Sequence, residues 1–191
     1  MRLKMPTFCF AICCGVAVFS GCTRSKRLIT VIPEQDTAQE QLMYSVQNRF
    51  TSVPPVEPEA RRLFFQKQIH IFEKVITRFP DDTIYTPEAI LNIAEILYKM
   101  NEFETMIRYL RAAIVLYPHH PNFEPRSLYM IGLAYEQQEK YNDANLAYKE
   151  CINKFENSKD ETIQKIVLES RKLYNRPKTK VVSSNPAFSG N

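Results

Sequence analysis

Glycine is scarce in this chain, and its few positions argue against a nucleotide-binding or hydrolytic centre. Only four glycines occur among 191 residues. Gly15 and Gly21 lie near the N-terminus and Gly190 lies near the C-terminus, which leaves Gly132 alone in the central region. Phosphate-binding loops require several glycines in close succession, and no glycine-flanked serine resembles a nucleophile elbow. The sequence therefore predicts a protein that is not an enzyme.

The cysteines do not form the pattern of a disulfide framework. Cys9, Cys13 and Cys14 lie in an apolar N-terminal segment, and Cys22 directly follows that segment. Cys151 is the only cysteine further along the chain. If the N-terminal segment is removed and Cys22 is modified, Cys151 has no partner within the chain.

The N-terminal segment has the pattern of a secretory leader. Arg2 and Lys4 precede the apolar run Phe8–Phe19, which is shorter than the roughly 20 apolar residues that a membrane span needs. Small residues then precede Cys22, with phenylalanine where a bacterial lipobox usually has leucine. This resemblance to a lipobox implies cleavage before Cys22 and acylation of its thiol, so residues 1–21 are predicted to be a lipoprotein signal peptide. The alternatives are an ordinary signal peptide or a short membrane anchor.

The chain without its leader is close to neutral, which gives no argument for nucleic-acid binding. The full sequence has 25 Lys and Arg residues and 21 Asp and Glu residues. Removing Arg2 and Lys4 with the leader leaves 23 positive side chains against 21 negative ones, a net charge of +2. Residues 22–34 are polar or mixed, and we predict that they tether the lipid to a folded domain.

An internal repeat with a period of 38 residues organises the central region. Residues of similar character recur at this spacing: Phe72, Leu110 and Tyr148; Val75, Ala113 and Cys151; Ile76, Ile114 and Ile152; Ile93-Ala94 and Ile131-Gly132. A period of roughly 20–50 residues is typical of stacked supersecondary units. Such units bury their apolar faces against their neighbours, which favours a binding surface over a reaction centre. Within this pattern Cys151 is predicted to be a small core residue, and Gly132 to lie where two helices approach closely.

Apolar residues at helical spacing predict an all-α domain over residues 35–174. Helices are expected at Gln35–Phe50 and Glu59–Phe79, followed by two helical hairpins and a last helix that caps the stack. Three helix starts are predicted: Thr86 as an N-cap, and capping boxes at Asn101 with Glu104 and at Ser158 with Glu161. Residues 175–191 are rich in Pro, Lys, Ser and Asn and are predicted to be a disordered tail.

The repeated pattern resembles the tetratricopeptide repeat. The small Ala94 and Gly132 and the Tyr117-Pro118 ending fit that motif, and the unit Leu128–Phe155 fits it best. Met106 and Gln68 stand where the motif prefers alanine. The resemblance implies a helical-hairpin solenoid of about three hairpins plus a C-terminal capping helix, which binds proteins and performs no catalysis.

The repeat is longer than the usual 34 residues of this family, and the extra residues fall in the turn Tyr117–Asn122. This longer turn is similar to that of the BamD-type lipoproteins of the outer-membrane barrel-assembly machine. It is also similar to that of the CpoB-type periplasmic repeat domains.

Within the resemblance, the first helices of neighbouring units are expected to line a partner-binding groove: Glu95, Tyr98, Lys99, Tyr129, Leu133, Glu136 and Gln137. Such a mixed lining favours an extended or helical peptide with apolar anchors, for which Tyr98 and Tyr129 are the aromatic candidates. His119 and His120 raise the question of a metal site, but the only other histidine, His70, lies in a different unit. We therefore predict an ordinary loop there, no metal, and no cofactor except the lipid on Cys22.

These patterns together predict a lipid-anchored scaffold that faces the periplasm from the outer membrane. Thr23 follows Cys22 where aspartate signals inner-membrane retention in many Gram-negative bacteria. The partners are expected to be proteins of the cell envelope, with outer-membrane protein assembly as the first hypothesis. The alternatives are a scaffold for cell-wall, division or other envelope machinery, or a small-molecule receptor component for a transporter.

Overall fold

Seven helices make up the computed structural model, which describes residues 32–176. They are α1 (Ala38–Thr51), α2 (Pro58–Arg78), α3 (Tyr85–Lys99), α4 (Phe103–Leu116), α5 (Phe123–Gln137), α6 (Tyr141–Phe155) and α7 (Glu161–Tyr174). No strand occurs among the described residues. The prediction of an all-α helical-hairpin solenoid is confirmed.

The 38-residue period of the sequence is also the period of the helices. Helices α3 and α5 begin 38 residues apart, at Tyr85 and Phe123, and α4 and α6 begin 38 residues apart, at Phe103 and Tyr141. The recurring residues occupy equivalent places: Phe72, Leu110 and Tyr148 are fully buried, and so are Val75 and Cys151. Cys151 is thus the small core residue that the repeat predicted. Hydrophobic burial at the same points of each unit explains why one pattern generates a stack.

The helices pack as successive antiparallel hairpins, and the odd-numbered ones form a common layer. Each helix packs against the next along the chain, and α1 also contacts α3, α3 contacts α5, and α5 contacts α7. The even-numbered helices α2, α4 and α6 do not pack against one another. The odd-numbered helices therefore lie on the tighter side of the stack. We call the solvent-facing surface of α1, α3, α5 and α7 the odd-helix face.

Gly132 lies where the third hairpin is packed most tightly. A Cβ atom at this position would overlap the ring of Tyr148 from α6, with the ring Cδ1 only 2.6 Å away. Glycine costs about 1 kcal/mol relative to alanine inside a helix, and here the large, fully buried tyrosine ring takes the space that a side chain would need. The predicted close approach of two helices at Gly132 is confirmed.

The predicted N-cap of α3 is wrong. The helix begins at Tyr85, and the Asp82 carboxylate accepts the backbone N–H groups of Ile84 and Tyr85 at 3.0 and 2.5 Å. Thr86 lies inside the helix, where its hydroxyl donates to the carbonyl oxygen of Phe79 at 2.6 Å. The aspartate replaces Thr86 as the cap because its short side chain bonds backbone groups just ahead of it in the turn.

The two predicted capping boxes are also wrong. Helix α4 follows Glu102 without a side-chain cap, and Asn101 adopts a left-handed φ of 60° in the short turn before it. Helix α7 is capped by Asp160, whose carboxylate accepts two backbone N–H groups of the first turn at 2.8 and 3.0 Å. The Ser158 hydroxyl instead accepts the N–H of Asp160 at 3.2 Å. Asp160 directly precedes α7 and caps it, whereas Ser158 lies two residues further from the helix.

The first hairpin has a partly polar interior. Ser45 and Gln68 are buried and bond across α1 and α2. The buried Gln41 side chain instead accepts from the N–H of Gln35 at 3.0 Å and donates to the Pro33 carbonyl oxygen at 3.3 Å, both before α1. The Ser45 hydroxyl lies 2.7 Å from the Gln41 carbonyl oxygen and 3.2 Å from that of Ile71, and it can donate to either. The Gln68 side-chain amide donates to the Asn48 side-chain oxygen at 3.2 Å. Buried polar groups are tolerated where they find such partners, so hydrogen bonds between α1 and α2 accompany apolar packing here.

Candidate functional site

The seven residues predicted to line a groove lie on α3 and α5, in the odd-numbered layer, but they differ in accessibility. Lys99 and Gln137 are exposed and occupy equivalent positions of the two repeat units. The side chains of Glu95, Tyr129 and Glu136 are half-buried. Tyr98 and Leu133 are buried. The surface that a partner can reach is therefore more polar than the sequence indicated.

Tyr98 requires a correction, because it was expected to be an accessible aromatic anchor. Only 5% of its surface is exposed, and its ring packs edge-to-face against Phe103 of α4 with 5.4 Å between centroids. Burial raises the pKa of its hydroxyl, which is hydrogen-bonded to the side chain of Gln137. Tyr98 thus packs where α3, α4 and α5 meet. Truncating its side chain would lower the free energy of unfolding as well as any binding.

Tyr129 remains partly accessible and rests on the core of the third hairpin. Its ring lies 6.3 Å from that of Tyr148, between centroids, in a tilted arrangement. Burial also raises the pKa of Tyr129, and the carboxylates of Glu169 and Glu136 act in the same direction. Tyr129 is therefore a half-buried aromatic side chain next to the Tyr148 ring, and tyrosine of this kind is common at protein interfaces.

Ion pairs join each pair of neighbouring odd-numbered helices. Arg49 of α1 donates to Asn92 at 2.6 Å and to Glu95 at 2.7 Å, both on α3. Arg126 of α5 donates to both carboxylate oxygens of Glu88 on α3 at 2.8 Å. Arg176, which follows α7, donates to Glu136 of α5 at 2.7 Å. These bonds connect neighbouring helices of the odd-helix face, and each adds modestly to the packing because its side chains are partly exposed.

Sequence reasoning missed these ion pairs, although a signal for one of them is present. Glu88 and Arg126 are 38 residues apart and so occupy the same position of two successive units. Opposite charges at equivalent positions of adjacent repeats face each other when the repeats stack. Arg49 with Glu95 gives no such signal, because α2 has 21 residues against 14 in α4 and follows a longer turn, so α1 falls outside the repeat spacing.

Lys99 is an accessible cation on α3. Partial burial lowers the pKa of its ammonium group, the nearby Arg49 acts in the same direction, and Glu95 opposes them. The ion pair of Arg49 with Glu95 lies beside this ammonium group. An exposed ammonium group can attract an acidic group of a partner.

The two adjacent histidines have different roles, and neither is part of a metal cluster. His119 is exposed, whereas His120 is buried against Phe123 with 6.1 Å between ring centroids. The Nε2 atom of His120 lies 3.6 Å from Glu88, which also binds Arg126. Burial lowers the pKa of His120. No group of three His, Cys, Asp or Glu side chains suited to a metal ion occurs within residues 32–176.

Shallow depressions occur both outside the odd-helix face and on it. One depression of about 330 Å³ is lined by Glu139–Asp143 at the turn between α5 and α6. Another, of about 260 Å³, lies on α7 and is lined by residues that include Lys165, Leu168 and Arg171. Both are open and shallow, and neither gathers catalytic side chains.

Cys22 and the rest of the predicted leader lie outside the described residues. Between residues 32 and 176, no helix is long and apolar enough to cross a membrane. The acylation of Cys22 therefore stays a prediction from the sequence.

Comparison with known proteins identifies the two central hairpins. The family model described as tetratricopeptide repeat matches residues 88–120 and 126–158. These stretches contain most of α3 with α4 and most of α5 with α6, and they are one 38-residue period apart. No curated protein matches the chain. Residues 88–120 and 126–158 are therefore tetratricopeptide repeats, which mediate protein–protein interactions and are typically non-catalytic.

Proposed function

We propose that this protein is a membrane-anchored scaffold that binds another protein of the bacterial envelope through the odd-helix face. The observation that supports this proposal best is the layer of α1, α3, α5 and α7, in which each helix packs against the next and ion pairs from Arg49, Arg126 and Arg176 join them. A surface fixed in advance loses less conformational entropy on binding than a mobile one. Tyr129 offers the apolar contact and Lys99 the charged one.

The partner that fits this surface is an extended or helical segment with an apolar anchor and an acidic group. Tyr129 would receive the anchor, and the acidic group would approach Lys99. Gln137 lies at the position equivalent to Lys99 in the next repeat and presents an uncharged amide instead. The two equivalent positions of α3 and α5 therefore differ in charge.

Photo-crosslinking in native membranes tests the proposal directly. A photoreactive amino acid replaces Lys99 or Gln137, one at a time, and the control replaces Lys149, which is exposed on α6. Both positions of the odd-helix face are expected to capture the same protein, and the control is expected not to. Capture from Lys149 alone would refute the proposed surface, and the mass of the captured protein identifies the envelope machine.

The first hypothesis for that machine is outer-membrane protein assembly, on the resemblance to BamD-type lipoproteins. Crosslinks to a barrel-assembly component would support it, whereas crosslinks to cell-wall or division proteins would favour the alternative scaffold. The repeat units support the interaction role in either case.

The membrane anchor has its own test. Cys22→Ala is expected to abolish incorporation of a fatty-acid analogue during metabolic labelling and to block removal of the leader. The control is Cys151→Ala, which removes a buried thiol and should leave labelling unchanged. Equal labelling of Cys22→Ala and the wild-type protein would show that the anchor lies elsewhere or is absent.

A further inference from the structure

The turn that joins the two tetratricopeptide repeats contains a buried histidine. This turn lies between α4 and α5, at residues 117–122. Only 6% of the His120 side chain is exposed, whereas the neighbouring His119 is exposed. Histidine changes its charge closer to neutral pH than other side chains do, so a buried histidine can make a structure respond to mild acid.

The equivalent position of the preceding turn holds an aspartate with a different role. The α2–α3 turn also has six residues, and Asp82 precedes His120 by one 38-residue period. The Asp82 carboxylate caps α3 by accepting backbone N–H groups. No described side chain caps α5. The α4–α5 turn therefore lacks the side-chain hydrogen bonds that fix its counterpart.

Backbone hydrogen bonds within the α4–α5 turn are long. The backbone nitrogen of His120 lies 3.4 Å from the Tyr117 carbonyl oxygen, and that of Phe123 lies 3.4 Å from the His120 carbonyl oxygen. Both distances exceed the usual range of about 2.7–3.2 Å, whereas the nitrogen of Asp82 lies 3.1 Å from the Phe79 carbonyl oxygen. The α4–α5 turn thus depends more on side-chain packing, which includes the His120 ring against Phe123.

Glu88 of α3 and Arg126 of α5 are the charged groups that act on the His120 ring. The Nε2 atom of the ring lies 3.6 Å from a Glu88 oxygen, and Arg126 donates to both oxygens of that carboxylate. Burial lowers the pKa of His120, and Arg126 acts in the same direction. Glu88 and a hydrogen bond with the backbone of Ile84 oppose this shift without reversing it. In the same turn, the Tyr117 hydroxyl donates to a backbone carbonyl of the preceding turn.

Protonation of His120 would create a buried hydrogen-bond donor without an acceptor. Because a carboxylate only accepts hydrogen bonds, we assign the hydrogen of the neutral ring to Nε2, which faces Glu88, and the lone pair to Nδ1. The Nδ1 atom is buried and has no hydrogen-bond partner among residues 32–176. A proton on Nδ1 adds an unpaired N–H group and a positive charge, while Glu88 is already bound by Arg126. Acid therefore favours a state in which the ring is hydrated.

We propose that His120 makes the junction between the two repeats sensitive to acid, because protonation of its ring releases the turn Tyr117–Asn122 from α3. A released ring takes up its proton near pH 6.5, before the buried ring does. The turn is therefore most stable above this pH and is released progressively as the pH falls through it. The α2–α3 turn contains no histidine and keeps its structure. Since the His120 ring lies beside the Glu88–Arg126 pair, its release also weakens the link between α3 and α5 on the odd-helix face.

Hydrogen exchange of backbone amides, measured by mass spectrometry on the full chain at pH 7.5 and pH 5.5, tests the proposal. Each rate is divided by the intrinsic exchange rate at the same pH, so that the resulting protection reports the opening of the structure. Protection of residues 117–126 should fall several-fold at pH 5.5. The limit is about tenfold, the most that one histidine with an ordinary pKa near 6.5 allows at this pH. Protection of residues 79–88, in the equivalent turn, should stay unchanged.

Two matched variants assign the effect to one ring. His120→Gln removes the titrating group and should abolish the pH dependence of protection, whatever it does to overall stability. His119→Gln, at the exposed neighbouring position, should retain the pH dependence. The proposal is overturned by equal losses of protection in the two turns, by a loss spread over all seven helices, or by a pH dependence that persists in His120→Gln.

An NMR titration of the histidine rings gives a second test, which requires no substitution of His120. The full chain has three histidines, and the ring signal that is lost in neither His70→Gln nor His119→Gln belongs to His120. This signal should titrate below pH 6.5, the value of an ordinary histidine. Titration of the His120 ring at or above pH 6.5 would contradict the proposal.

Discussion

The first hairpin and the two tetratricopeptide repeats share one architecture and build it from different chemistry. Gln68 of α2, Met106 of α4 and Ala144 of α6 are equivalent and all are buried. Gln68 binds Asn48, whereas Met106 lies in the apolar core. The first hairpin also has the longer turn. The comparison teaches that helix spacing is preserved whether a buried position holds an apolar side chain or a polar one that makes only some of its hydrogen bonds.

The difference also explains where the family model matches. The match begins at residue 88 and covers both hairpins with apolar or small residues at this position. A family pattern of small and apolar residues does not describe a hairpin stabilised through Gln41, Ser45 and Gln68.

The largest effect is expected from filling the tight contact of the third hairpin. Gly132→Leu forces a side chain into the ring of Tyr148 and should lower the free energy of unfolding by about 3 kcal/mol or more, since overpacking typically costs 1–3 kcal/mol and sometimes exceeds this range. Urea unfolding of the full chain measures the loss. Ala112→Leu, at an exposed position of α4, is the control, and equal stability of the two variants would contradict the close contact.

Alkaline pH should destabilise the repeats by a similar amount. Burial raises the pKa of Tyr109 and of Tyr148 well above the usual range, so these hydroxyls stay neutral in the folded protein while the unfolded chain ionises near pH 10. The free energy of unfolding is therefore unaffected by these hydroxyls below pH 10 and falls as the pH rises above 10. At pH 11 the loss should be about 3 kcal/mol for Tyr109 and Tyr148 together. Chemical unfolding between pH 9 and pH 11 measures this slope, with the pKa of about 10 of an ordinary tyrosine as the reference. Tyr109→Phe should make the slope shallower, and an unchanged slope would show that Tyr109 does not contribute.

An exchange of side chains between equivalent positions sharpens the comparison most directly. Met106→Gln places an amide in an apolar core and should cost about 2–3 kcal/mol. Gln68→Met should cost about 1 kcal/mol or less, because it removes a side chain whose oxygen has no partner among the described residues and leaves only half-buried Asn48 to be hydrated. Thermal unfolding of both variants compares their losses of stability. Equal losses would mean that the interiors of the first and second hairpins do not differ in polarity as the structure indicates.

The smallest effect is expected at the connections between the two regions. Arg49→Gln breaks the link from α1 to α3, and Arg126→Gln breaks the link between the two repeats. Each substitution should lower the free energy of unfolding by about 1 kcal/mol or less, because both ion pairs are partly exposed to solvent. The difference between each variant and the wild-type protein should shrink at high salt. A much larger loss for Arg49→Gln would show that the first hairpin depends on this ion pair to remain docked.

Periodicity predicted the core better than it predicted the surface. The recurrence of Phe72, Leu110 and Tyr148 identified buried positions, because burial repeats whenever the same helix pair repeats. Tyr98 was harder to place, since a tyrosine at a groove position can turn outward or pack sideways, and Phe103 on the next helix provides the packing surface. The predicted caps of α3 and α7 were wrong for a related reason. The carboxylates of Asp82 and Asp160 compete with the predicted caps, and the geometry of the turn decides which side chain reaches the backbone N–H groups.

The sequence by itself determined the helical class, the 38-residue unit, the buried positions and the tight contact at Gly132. These follow from local spacing, which is carried along the chain. Only the tertiary structure decided that Arg49 meets Glu95, that Tyr98 is withdrawn into the core, and that the α1–α2 turn presents its apolar side chains outward. Each of these depends on residues from different helices coming together, and their distances are set by how the hairpins stack.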